Sequence, residues 1–163
     1  MPAIGVFPLG VWLVCGNALA DTYRLRDEQP EAGSRIRPDA AIWALPFDKT
    51  YAELTDAQRE ILRLAYIDMP PEDEPPYPLN GMKPFMRQIS KAQKSLRVRG
   101  DLFAVATVDE SGDVRKVDFF EAPSEQMAKA VGIVLIKTKF KPGVCGGVPC
   151  VMEYPFQMRF EVK

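Results

Sequence analysis

The sharpest pattern in the chain lies at its end. Met152, Tyr154, Phe156, Met158, Phe160 and Val162 alternate with Glu153, Pro155, Gln157, Arg159 and Glu161. A period of two puts the apolar set on one face of a strand and the polar set on the other. Pro155 has no N–H to give to a ladder, so the strand belongs at the edge of its sheet, at least around that residue.

The rest of the second half reads as further elements of the same sheet. Asp101 to Asp109 is apolar on both faces, the signature of a central strand. Asp109 to Asp113 reads as a hairpin turn with Gly112 at a positive φ, and Val114 to Glu121 is the return strand. Ser124 then caps a helix whose stripe is Met127, Val131, Val134 and Leu135, and Pro142-Gly143 lies beyond its end. Strand, strand, helix, strand with a crossover gives the sheet order second-first-third, which leaves the second and third strands as edges. The expected fold is α+β: a three-stranded antiparallel sheet (β-β-α-β) packed on the Ser124–Lys137 helix, with N-terminal helices partly covering the other face.

Two helices are expected upstream. Thr55 and Gln58 have the spacing of a capping box, and Ala57, Ile61, Leu64, Ala65 and Ile67 continue as a helical stripe up to Pro70-Pro71. Met82, Phe85, Met86, Ile89, Ala92, Gln93 and Leu96 set a second helical period, broken at Gly100. Between them, Met69 to Pro78 holds five prolines and three acids in ten residues, which reads as an extended, solvated linker. Asp21 to Pro38 shows no period and reads as irregular. The short apolar run around Trp43 has no clear type.

Charge changes this picture in one place. The 163 residues carry a net charge of −1, which gives no footing for a nucleic-acid partner. Yet six bases and no acid fall between Pro75 and Gly100. Lys83, Arg87, Lys91 and Lys94 share one helix face, which reads as a solvated face or as a surface for anionic lipid or an acidic partner. The chain contains no His. That removes Ser-His and Cys-His catalysis and imidazole metal sites, and no metal or cofactor is implied. Asp109, Glu110 and Asp113 gather at a turn, where carboxylates are normally solvated rather than tuned for acid/base work. The chain reads as a binding protein and not an enzyme.

Met1 to Ala20 has no charge, an apolar stretch from Ile4 to Val14 and an Ala-x-Ala ending. This reads as a signal peptide cleaved after Ala20. An uncleaved anchor, or a lipid-modified Cys15, are the alternatives. The mature chain would then hold two cysteines, Cys145 and Cys150, flanking Gly146, Gly147 and Pro149. An exported chain with an even cysteine count points to a disulfide.

The ordered set of Pro76-Tyr77-Pro78, Gly100, the hairpin Val108 to Val114, Thr138 to Pro142, Gly147-Val148-Pro149 and Pro155 to Phe160 resembles the periplasmic C-terminal domain of TonB-type energy transducers. The likeness runs from about Pro75 to Lys163. It divides the chain into a signal peptide (1–20), a helical annex with a Pro-rich linker (21–74) and a TonB-like domain (75–163). In that family the last strand pairs with an extended segment of an outer-membrane receptor, so the resemblance implies a periplasmic protein or peptide partner, a TonB-dependent receptor among the candidates. It implies partner-binding residues Glu153, Gln157, Arg159 and Glu161, engaged by β-augmentation. The chain departs from the family in lacking a His-bearing membrane helix, so a soluble module without energy harvesting is expected. The alternative is a transducer anchored by residues 1–20. An open edge also accommodates a homodimer by edge pairing.

Overall fold

Apolar alternation and helical stripes in the second half assemble into one layer of sheet and one layer of helix. The computed structural model describes residues 36–37 and 45–162, with the backbone of 23–25. The proposed signal segment, Cys15 and Trp43 lie outside the described residues. In chain order the elements are β1 (Tyr23–Leu25), α1 (Asp56–Arg63), β2 (Tyr77–Pro78), α2 (Lys83–Leu96), β3 (Gly100–Val108), β4 (Val114–Glu121), α3 (Glu125–Lys137), β5 (Phe140–Lys141), β6 (Gly143–Cys145), β7 (Val148–Cys150) and β8 (Met152–Phe160).

The principal sheet has the order β1-β4-β3-β8. Its three long strands are antiparallel, with β3 in the centre and β8 at one edge. Ala104 lies between Phe119 and Phe156, and Ala106 between Val117 and Tyr154. All six are buried and face the helices. The small central side chains let α3 approach the sheet closely, which large flanking residues then seal. One expectation fails at the opposite edge. β4 is not a free margin, because β1 pairs with it in parallel, Tyr23 to Leu25 against Val117 to Phe119. The irregular reading of Asp21 to Pro38 missed this short strand.

The hairpin between β3 and β4 is held by Asp109. Its carboxylate accepts from the backbone N–H groups of Asp113 at 3.0 Å and Ser111 at 2.8 Å and pairs with the Arg115 guanidinium at 3.0 Å. Asp109 is buried rather than solvated, contrary to expectation. The Asp113 amide, with Arg115 and the Ser111 amide, holds its carboxyl below the usual range. A carboxylate stabilised in its charged form is a turn staple, not an acid held ready to give a proton.

α3 begins as expected, with the Ser124 hydroxyl accepting from the Met127 amide at 3.1 Å. α1 is also capped as expected by Thr55 and Gln58. It stops at Arg63, however, a turn before the apolar stripe ends. Tyr66 is drawn into an antiparallel bridge with Ile36, and the Arg37 amide donates to the Ala65 carbonyl at 2.7 Å. Leu64 and Ile67, expected in the core, are therefore exposed. α2 ends at Arg97, which takes the left-handed conformation (φ 49°), and not at Gly100, which opens β3. α2 also lies on the same face of the sheet as α3. Phe85 of α2 meets Phe156 edge-on at 5.2 Å, so it does not cover the opposite face as expected.

The Pro-rich stretch is extended but not a free linker. Tyr77–Pro78 pairs with Phe140–Lys141, and Glu74 exchanges two backbone bonds with Val144. The Arg63 guanidinium donates to the carbonyls of Met69, Pro70 and Asp73. Proline brings a carbonyl but no N–H, so the stretch is rich in acceptors, and one guanidinium serves three of them; the Pro70 carbonyl also takes the Asp73 amide at 3.1 Å. Glu74 pairs with Lys141 at 2.9 Å, and Asp73 accepts from the Gly146 amide at 2.8 Å. The Lys141 ammonium also lies 4.4 Å from the Tyr51 ring centre. The acids of this stretch are thus partly spent on docking it.

Candidate functional site

Among the described residues β8 pairs on one side only, so its outer edge offers unpaired backbone. β3 pairs with β8 from Gly100↔Phe160 to Val108↔Met152, with Pro155 opposite Val105. In an antiparallel ladder, alternate residues turn both backbone groups away from the partner strand. The Glu153 carbonyl points outward, since it accepts from the Tyr66 hydroxyl at 2.7 Å. By parity Pro155, Gln157 and Arg159 point outward too. Pro155 therefore sits where its missing N–H costs the ladder nothing, which reconciles a proline with a nine-residue strand.

Four residues were candidates on sequence grounds, and the structure places them differently. Glu153 lies at the start of β8 with its carbonyl occupied by Tyr66. Glu161 falls just past the end of β8, and its carbonyl accepts from the Gln93 amide of α2 at 3.2 Å. Gln157 is half-buried and Arg159 exposed, and their outward backbone groups have no partner among the described residues. The expectation of an edge open from Glu153 to Glu161 narrows to a shorter opening, closed at one end by Tyr66 and at the other by Gln93.

A groove of about 710 Å³ lies along this opening. Its helix side is made by Met82 and Met86 of α2 with Phe47, and its strand side by Phe156 and Met158. Around the strand it reaches Phe103, Glu121 and the Asp101–Arg159 pair. That pair is a two-pronged contact, Nε to Oδ1 at 2.7 Å and Nη2 to Oδ2 at 3.0 Å. The hydrogen bond from Arg159 holds the Asp101 carboxyl below its usual range. The pairing fixes the Arg159 side chain across the ladder, leaving its backbone as the unpaired feature.

Sequence reasoning missed the groove walls. Met82 is buried and Met86 packs on the core, as their helical period predicts, but nothing local says that they also line a groove, and Phe47 lies in an unassigned run. The i, i+4 methionines beside a solvent-facing basic stripe were the available signal.

Cys145 and Cys150 form the expected disulfide, closing the β6–β7 hairpin with Cα atoms 5.8 Å apart. A disulfide fits an oxidising compartment. Among the described residues, no helix is long and apolar enough to cross a membrane, and no group of three or more His, Cys, Asp or Glu side chains is placed to hold a metal ion. No protein-family model and no curated protein matches the chain.

Proposed function

We propose that this chain is a peptide-binding module of the cell envelope that takes an extended segment of a protein partner along the margin of β8. The observation that carries the reading is the outward backbone of Gln157 and Arg159, unpaired among the described residues, beside an apolar groove of about 710 Å³. Backbone bonds to an incoming strand supply affinity, and pockets for alternate side chains supply selectivity. The disulfide and the resemblance to TonB-type periplasmic domains support a periplasmic location and an outer-membrane receptor as the class of partner. The reading needs no energy-harvesting membrane helix.

The test is a titration of the isotope-labelled protein with extended receptor-type peptides, followed by amide shifts. The Gln157 and Arg159 amides move, and those of β4 move little. Peptides that bind without shifting either amide place the site elsewhere on the molecule.

A further inference from the structure

The basic face of α2 lies along the same groove. α2 runs beside β8 in the same direction: Phe85 meets Phe156 near the start, and Gln93 reaches Glu161 near the end. At 3.6 residues per turn, the helix surface passes from the buried Phe85, Ile89 and Met82, through the half-buried Met86, to Lys83, Arg87 and Lys94. Met86 and the exposed Phe47 form a ledge facing the β8 margin, and the cations form its outer rim. A second groove confirms the continuity. It is lined by Phe47, Met86, Lys83, Arg87, Lys91 and Lys94 together with Ser90 and one acid, Asp48, and shares Phe47 and Met86 with the first.

These cations are unspent. Lys83, Arg87, Lys91 and Lys94 are exposed, and none is in an ion pair among the described residues. The row spans about 16 Å at the helical rise, and Pro155 to Arg159 spans about 13 Å at the strand rise, so the rim flanks the whole opening. A strand added outside β8 directs alternate side chains toward α2. The side chains on that face meet apolar ledge first and positive charge beyond it. On the other face they meet Gln157 and the neutralised Asp101–Arg159 pair, with Glu121 two strands further in.

Resting on the strand-margin reading, we propose that the partner segment is acidic on its helix-facing side: an extended peptide whose alternate residues are Glu or Asp, with stems on Met86 and Phe47 and carboxylates on Lys83, Arg87 and Lys94. Charge complementarity of this kind sets register and speeds encounter. It also fixes which face of the incoming strand turns toward the helix.

The probes are short blocked peptides alternating Val with Glu, Val with Gln, or Val with Lys, titrated into the full chain. The Val–Glu peptide binds about tenfold tighter than Val–Lys at low salt, and most of that preference is lost near 1 M salt, where charges are screened beyond about 3 Å. The charge-reversed variant K83E/R87E, whose changes are on the surface, inverts the order. All bound peptides shift the Gln157 and Arg159 amides. Equal binding of the three peptides with those shifts intact overturns the acidic preference and leaves the strand-margin site standing. Absence of the shifts with every peptide overturns both. Sedimentation of the protein with anionic phospholipid vesicles, lost in K83E/R87E while the peptides bind equally, assigns the cations to a membrane surface and also overturns the proposal.

Discussion

The Tyr66 hydroxyl closes the first rung of the β8 margin by donating to the Glu153 carbonyl at 2.7 Å. The two residues are 87 positions apart, so this bond ties the turn after α1 to the far end of the chain. Replacing Tyr66 by Phe removes this hydrogen bond and costs about 1–2 kcal/mol of stability. Urea denaturation measures the loss. Hydrogen exchange of the Tyr154 amide, which the ladder turns inward to β3, also rises in this variant as the strand end frays.

Three tyrosines make the fold sensitive to alkali. Tyr66, Tyr77 and Tyr154 are buried. Burial pushes the Tyr77 phenol up to about 12 and raises the Tyr154 and Tyr66 phenols well above the ordinary tyrosine value. In the unfolded chain these groups ionise near 10, so the folded state keeps its protons when the unfolded state has lost them. Their contribution is complete below pH 10 and falls as the pH rises through 10 toward the folded values. Each group steepens the fall by up to about 1.4 kcal/mol per pH unit. Stability measured from pH 9 to 12 is expected to fall less steeply in Tyr77→Phe, and an unchanged slope would show that Tyr77 ionises in the folded protein.

Reduction of Cys145–Cys150 releases a short loop, and the chain-entropy model puts the loss at about 2 kcal/mol. The effect spreads beyond the hairpin, because the Gly146 amide is the partner of Asp73. Denaturation with and without reductant measures the total. The double variant C145S/C150S, insensitive to reductant, separates the bond from side effects of the reagent.

Gly112 has φ +82°, and a Cβ there would sit 2.0 Å from the Phe140 carbonyl oxygen. The Phe140 amide in turn donates to the Gly112 carbonyl at 2.9 Å. Gly112→Ala therefore combines an unfavourable backbone with a clash that only backbone movement relieves. It costs about 3 kcal/mol or more. Gly147, also at positive φ but with open space around it, loses much less on the same change, and thermal unfolding of the pair tests the difference.

The elements legible in the sequence are those set by local chemistry. The β8 alternation, the capped starts of α1 and α3 and the Gly112 hairpin need only a few neighbouring residues to be recognised. What was not legible was decided by distant partners. The stripe through Leu64 and Ile67 reads as helix until Ile36 pairs with Tyr66. The prolines from Pro70 to Pro78 read as a linker until β5 and Arg63 supply their partners. α2 has a clear apolar face, but nothing local says which side of the sheet it covers. The candidate margin followed from Pro155, whereas its closure by Tyr66 and Gln93 follows from contacts 87 and 68 positions apart in the chain.

Pro155 carries a further consequence. A strand laid along the outside of β8 finds a carbonyl there but no donor, so one rung is always missing. Indefinite stacking of copies through this margin is penalised at every step, while a single short guest can choose a register that avoids the gap. The same imino acid that marks the border of the sheet thus guards it against fibre growth.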